Sequence, residues 1–267
     1  MNERNIRLLI AYDGTRYSGW QRQRDVPTIQ GEIEDRISLM TGEHPSLHGA
    51  GRTDAGVHAL GMVAHFHTRS TIPVQGFLGG LNSLLPRDIR ILDAAEVAAD
   101  FHSRFQAVAK TYRYDFFTGS VLPPCDRLYT AWIPCSFSLE RMQSSLERII
   151  GSHDFSSFEG KGSRDREQDS GRGAVRTLFR AECRPGDREN FWSFSFTGDG
   201  FLRHMVRNLV GTLIYVARGM FTEADFSRIL AARDRTLAGP TAPACGLFLQ
   251  EIFYPPVTRE QLAGEKP

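Results

Sequence analysis

Two hydrophobic rhythms alternate over roughly the first hundred residues, and that alternation limits the fold more than any other property of the sequence. Ile6 to Tyr12 reads as a strand. Thr28 is placed to cap a helix in which Ile29, Ile33, Ile37 and Met40 fall on one face. Gly61 to His67 returns to the period of a strand, Val74 to Leu85 reads as a helix stopped by Pro86, and Asp88 to Asp93 gives a further strand. The order is strand, helix, strand, helix, strand.

The same vocabulary recurs beyond residue 105. Lys110 to Phe117 has strong strand propensity, and Leu139, Met142, Leu146 and Ile149 mark a helix. Gly160 to Gly173 holds glycine, serine and charges without an apolar residue and is expected to be a mobile loop. Val175 to Cys183 and Asn190 to Thr197 read as a strand pair. Phe201 to Arg218 is the clearest helix, with Phe201, Leu202, Met205, Val206, Leu209, Val210, Leu213 and Ile214 on a broad apolar face. Thr222 and Asp225 form a capping box for another helix, and Gly246 to Ile252 closes as a strand. The count predicts an α+β protein of two halves, 1–105 and 106–267, with antiparallel or mixed sheets, helices packed against them and a cleft where they meet.

A length of 267 residues, 41% of them hydrophobic and 24% charged, suits a soluble globular chain with a sizeable core. No apolar run approaches the ~20 residues needed to cross a bilayer, and the start has no signal-peptide layout. Cys125, Cys135, Cys183 and Cys245 are scattered, so neither a zinc site nor a disulfide framework is expected, and a cytoplasmic setting is the simplest.

Gly49 to Ala59, read Gly-Ala-Gly-Arg-Thr-Asp-Ala-Gly-Val-His-Ala, breaks the rhythm. Glycine admits positive φ and close approach of another molecule, at a cost in chain entropy. With Arg52 and Asp54 at its centre, the loop is either an Asx-type turn serving backbone amides or a loop that holds a carboxylate against a ligand. It is not a dinucleotide fingerprint: the third glycine position is Asp54, which would repel a pyrophosphate. His58, His65 and His67 lack a carboxylate or cysteine to complete a ligand set, so structural histidines are expected and no metal. There is no P-loop, nucleophile elbow or Cys-His pair with supporting context.

A net charge of +1, from 32 basic and 31 acidic residues, argues weakly against nucleic acid. The kind of cation argues the other way. Lys110, Lys161 and Lys266 are the only lysines, and arginine forks onto phosphate and stacks on bases as lysine cannot; a genome rich in G and C would give the same bias. Arg203 and Arg207 stand one turn apart on the polar strip of the expected 201–218 helix, beside His204 and Asn208, on either a solvated face or a cleft wall. Lys110, Tyr112, Arg113 and Tyr114 mix cations and aromatics on a strand, with both tyrosines on one face. That is a base-stacking surface or a half-buried core strand. Phe101, His102, Ser103, Arg104 and Phe105 repeat the mixture just upstream.

At Gly51-Arg-Thr-Asp-Ala-Gly-Val-His-Ala59 the chain closely resembles the tRNA pseudouridine synthase A (TruA) family. The likeness extends to Tyr12-Asp-Gly-Thr, Tyr17-x-Gly-Trp-Gln-Arg-Gln23, Phe101-His-Ser-Arg-Phe105, Lys110-Thr-Tyr-Arg-Tyr114, Phe201-Leu-x-His-Met-Val-Arg-Asn208 and Thr241-Ala-Pro-Ala-x-Gly-Leu-x-Leu249. The resemblance implies a homodimer, without cofactor or metal, that converts uridine to pseudouridine at positions 38, 39 and 40 of the tRNA anticodon stem-loop. It implies two α/β halves with a continuous central sheet around a cleft. A target base inside a stem must be flipped out, at a few kcal/mol of lost stacking and pairing.

By the same resemblance Asp54 is the nucleophile. Attack on uracil C6, attack on ribose C1′ and removal of a ribose proton all remain open as its first step. Burial alone would raise the pKa of such a carboxylate, and Arg207 matches the arginine that offsets this. Tyr112 matches the tyrosine packed on the uracil, a candidate for handling the C5 proton, and Arg52 matches the residue inserted where the flipped base had been. Arg203 departs from the family, where an aromatic or histidine is frequent, and its role stays open. The 160–173 loop corresponds by position to a tRNA-contacting region, expected to order only with tRNA, its deletion weakening tRNA binding more than turnover. A non-catalytic tRNA-binding protein and an enzyme acting on a small anion are the competing classes.

Overall fold

The computed structural model describes residues 3–160 and 173–264. The charged loop expected between Gly160 and Gly173 falls, except for its ends, outside the described residues. In chain order the first elements are β1 (Arg4–Tyr12), α1 (Ile29–Thr41), β2 (His48–Gly49), β3 (His58–Thr68), α2 (Val74–Leu84) and β4 (Ile89–Val97). There follow β5 (Ala109–Phe117), β6 (Ala131–Trp132), α3 (Leu139–Arg148), β7 (Gly151–Asp154), β8 (Val175–Pro185) and β9 (Phe191–Gly198). The chain ends with α4 (Met205–Ala217), α5 (Glu223–Ala232), β10 (Leu247–Phe253) and α6 (Arg259–Ala263).

The fold is α+β, with parallel and antiparallel strand pairs, in two compact units. One unit is Met1–Val108 with Phe248–Pro256, the other Ala109–Leu247 with Val257–Pro267. A division at residue 105 leaves Phe248–Pro256 in the second half; the fold gives this stretch to the first. The reason is β10, which pairs in parallel with β3, Phe248 opposite His58 and Leu249 opposite Ala59.

In the first unit the strands run β4-β1-β3-β10, with β2 also paired to β3. Alternation in β1 buries Ile6, Leu8 and Ile10 completely. Their antiparallel partners on β3 are Phe66, Ala64 and Met62. Ile29, Ile33 and Ile37 of α1 and Phe77 and Leu81 of α2 are equally buried. Each of the large side chains contributes ~1.5–3 kcal/mol on leaving water. Thr28 caps α1 as expected, its Oγ1 accepting from Gly31 N–H at 3.3 Å.

In the second unit the order is β5-β9-β8-β7, with β6 on β5. Tyr112 faces Phe196, Tyr114 faces Phe194 and Phe116 faces Trp192 across β5 and β9. Phe116 and Phe194 stack at 5.2 Å between ring centroids. Met142 and Leu146 of α3, Leu209 and Leu213 of α4, and Phe226 of α5 are fully buried. Gly211 allows residues 239–242 to lie directly on α4, since a Cβ there would sit 1.7 Å from the Pro240 carbonyl oxygen.

One helix is shorter than its apolar pattern predicts. The 201–218 helix begins only at Met205, because His204 takes a left-handed φ of 60°. Gly160 N–H donates to Arg203 O at 2.8 Å, which gives that carbonyl a partner from outside the helix. No helix among the described residues is long and apolar enough to cross a membrane.

Candidate active site

Asp54 stands in the short loop between β2 and β3, and the turn after β1 holds that loop by its backbone. Trp20 N–H donates to Thr53 O at 3.0 Å, and Gly56 N–H donates to Tyr17 O at 3.3 Å. The loop closes on itself through Val57 N–H to Asp54 O at 3.2 Å. Thr53, which is buried, shares a 2.7 Å hydrogen bond with the Tyr12 hydroxyl. Approach this close needs a residue without Cβ: Gly19 has φ +93°, and a Cβ there would lie 2.5 Å from Thr53 O. Asp54 is half-buried and Arg52 exposed.

Tyr112, Arg207 and Arg203 belong to the second unit. Tyr112 is 8% exposed on β5, and its ring meets Phe201 edge-on at 4.9 Å. Tyr114 is fully buried and donates its hydroxyl to Pro243 O at 2.9 Å. Burial pushes its phenol well above the ordinary value, the Arg207 charge opposing. A base-stacking surface on this strand therefore excludes Tyr114 and reduces to Tyr112. Arg113, on the opposite face, pairs with Asp115 at 3.1 Å.

Arg207 is half-buried on the first turn of α4, its Nε donating to Ala242 O at 2.7 Å. Ala242 N–H returns a bond to Arg207 O at 3.1 Å. The segment supplying that carbonyl is fixed in turn by Asn208, fully buried, whose Oδ1 accepts from Thr241 Oγ1 at 2.7 Å and Arg235 at 3.1 Å. Arg203 does not share a helical face with Arg207. It lies in the turn before α4 and is exposed, for the backbone reason given above.

Phe101 to Phe105 form a tight turn after β4 that belongs to the first unit. Ser103 is fully buried at its centre, whereas Arg104 and Phe105 face solvent. Among the described residues no group of three or more His, Cys, Asp or Glu is arranged to hold a metal ion.

The sequence alone assigns no role to Tyr12, Thr53, Gly19, Trp20, Asn208 and Thr241, which position the candidates. Their signal lay in Tyr12-Asp-Gly-Thr and Tyr17-x-Gly-Trp, where glycine beside aromatics marks close backbone approach. Asn208 gave no such signal, because its partners come from residues 158, 235 and 241.

A family model described as tRNA pseudouridine synthase matches residues 8–106 and 146–255; Tyr112 lies between the two stretches. The tRNA pseudouridine synthase A 1 of Desulfotalea psychrophila is 53% identical over 251 residues, covering 94% of this chain and 100% of that relative. The tRNA pseudouridine synthase A of Clostridium kluyveri is 43% identical, with the same two coverages of 94% and 100%. That of Geobacillus kaustophilus is 42% identical over 93% of this chain and 94% of its own.

Fold and matches together define the class as RNA pseudouridine synthase, an isomerase of uridine in tRNA. Within that class, the chain belongs to the tRNA pseudouridine synthase A family.

Proposed function

We propose that this chain isomerises uridine to pseudouridine at positions 38, 39 and 40 of the tRNA anticodon stem-loop, with Asp54 as nucleophile on a uridine flipped out of the stem. The observation that carries the reading is the immobilised backbone on either side of Asp54, bonded at Thr53 O, Asp54 O and Gly56 N–H, in a residue that is itself only half-buried. A nucleophile gains most from being held where it reacts.

The reaction balances without a co-reactant. The N1–C1′ bond breaks, a C5–C1′ bond forms, C5 gives up its proton and N1 takes one. No electrons are exchanged, so no redox cofactor is needed. Extrusion costs a few kcal/mol, and Arg52, exposed beside Asp54, stacks where the base had been. Tyr112 packs on the uracil, with its hydroxyl as the candidate for the C5 proton. Arg207, held at Ala242 O, binds the substrate as a fixed cation. The active species is a cytoplasmic homodimer.

Release of tritium from tRNA carrying C5-tritiated uridine reads the reaction. Asp54→Asn is expected to bind tRNA as wild type does and to release tritium at least ~1,000-fold more slowly, the loss typical of removing a covalent catalyst. Release near the wild-type rate overturns the assignment of the nucleophile.

A further inference from the structure

The turn after β4 is anchored far more firmly than its exposure requires. Asn5 Nδ2 donates to Ala98 O at 3.0 Å and to Phe101 O at 2.9 Å. Ser103 donates from Oγ to His48 O at 2.5 Å and from its N–H to His65 Nδ1 at 3.2 Å. Tyr254 donates its hydroxyl to Ser103 O at 2.6 Å.

On this frame Phe105 holds its ring out of the protein, 76% exposed. One face of it lies against His102, at 4.1 Å between centroids and a tilt of 32°. His102 in turn contacts His48 at 5.6 Å and His65 at 4.7 Å, and His48 stacks on His65 at 5.1 Å and 28°. The Arg104 guanidinium lies 5.9 Å from the Phe105 centroid. Burial and the neighbouring imidazoles push His65 down to about 4 and His102 below its ordinary value. At neutral pH those two rings are therefore uncharged.

A solvent-facing run of aromatic rings, Phe105, His102 and His48, with a guanidinium on its rim matches one chemistry well. A nucleobase offers a π face to the rings, and its phosphate offers a negative charge to the rim. An acidic peptide would use the cation and leave the rings idle. The reacting uridine is served elsewhere: the Asp54 loop enters β3 at His58, and seven strand residues at ~3.3 Å each put His65 roughly 23 Å further along.

We propose that Phe105, His102 and His48 form a shelf on which an unpaired nucleobase of the RNA substrate, other than the isomerised one, stacks, with Arg104 taking a phosphate at its edge. This rests on the reading that the chain acts on tRNA.

The test uses the full chain and an unmodified tRNA transcript, with Kd measured by fluorescence anisotropy at several salt concentrations. Phe105→Ala is expected to raise Kd about 5- to 160-fold, the range for losing one stacked base, and to lower kcat/KM for tritium release by the same factor. The salt slope should stay unchanged. Phe105→Tyr should restore binding and Phe105→Leu should not, because the interaction needs a π face. Arg104→Ala should instead flatten the salt slope by about one phosphate contact.

An unchanged Kd in Phe105→Ala, full rescue by leucine, or a changed subunit mass in sedimentation each overturns the shelf; the last would make Phe105 a contact between protein copies. Wild-type tritium release tests the enzymatic reading separately. A wild type that turns over tRNA, beside a Phe105→Ala protein that binds equally well, refutes the shelf alone.

Discussion

Gly19 shows how a single residue governs the candidate site without touching substrate. Its φ of +93° belongs to the region glycine favours, and its missing Cβ leaves room for Thr53 O at 2.5 Å from where that atom would sit. Alanine there meets backbone, which cannot rotate aside, so the loop must shift. The strain is worth ~1–3 kcal/mol, an amount the buried core of this unit can absorb. The loop cannot absorb it, because an ångström of displacement at the proposed nucleophile costs about 100-fold in rate. Gly19→Ala is therefore expected to stay folded, with a modestly lower melting temperature, and to lose about 100-fold in kcat at saturating tRNA. Calorimetry beside tritium release checks this. A kcat that merely follows the folded fraction would show that the loop tolerates the shift. The sequence marks the glycines of residues 49–59 as points of close approach and assigns Gly19 no such role. What approaches Gly19 is not legible there, since Thr53 O is a backbone atom supplied from a distance of 34 residues along the chain.

At the level of elements, strands and helices with a sustained period were readable to within a few residues. Elements defined by their partners were not. The α4 start is the instructive case: apolar spacing continues through Phe201 and Leu202, but the helix waits for Met205. Arg203 O is engaged by Gly160 N–H, a contact between parts of the chain that no local pattern reports. The two-residue strand β2 is similar, visible only through its pairing of His48 with His65. That pairing creates a pH dependence. His65 is 1% exposed and ringed by His48, His67 and His102, with Arg104 beyond, and its pKa falls to about 4. Its Nδ1 accepts from Ser103 N–H and lies 3.0 Å from Ser103 Oγ, and burial together with the neighbouring imidazoles keeps a proton off the ring. The unfolded chain takes up the proton near 6.5 and the folded chain refuses it until about 4. Stability from the neutral ring is thus fully present above pH ~6.5 and is lost as pH falls toward 4, by up to ~2 kcal/mol once solvent screening is allowed for. Asparagine keeps an acceptor near the Nδ1 position and cannot titrate. Melting temperatures between pH 7 and 4.5 should therefore fall more steeply for wild type than for His65→Asn; parallel curves would remove His65 from the account.

For the molecule as a whole, the α+β class followed from element order alone. The return of β10 to β3 did not, because its partners stand 190 positions apart, as Phe248 and His58 do. Charge is the remaining property of the entire chain, and the net value misleads. With 32 basic against 31 acidic residues, there is almost no long-range attraction for a polyanion, and any strong hold on tRNA must come from arginines gathered locally. Many arginines are already committed to carboxylates within the fold, as Arg4 is to Glu96, Arg22 to Glu34 and Asp35, Arg148 to Glu223 and Arg188 to Asp126. Arg52 and Arg104 are instead exposed beside the two segments proposed to meet RNA. Affinity for tRNA is accordingly expected to fall steeply with salt despite the near-neutral total. Five phosphate contacts at ~0.7–0.9 each predict a loss of roughly 130- to 500-fold between 50 and 200 mM salt. A small anionic substrate, held by one or two arginines, would lose less than about 10-fold over the same range. Binding isotherms with unmodified tRNA across that range separate the two: a shallow slope would mean that the arginines of this chain serve its own carboxylates and a small ligand, and that the polyanion reading of its surface is wrong.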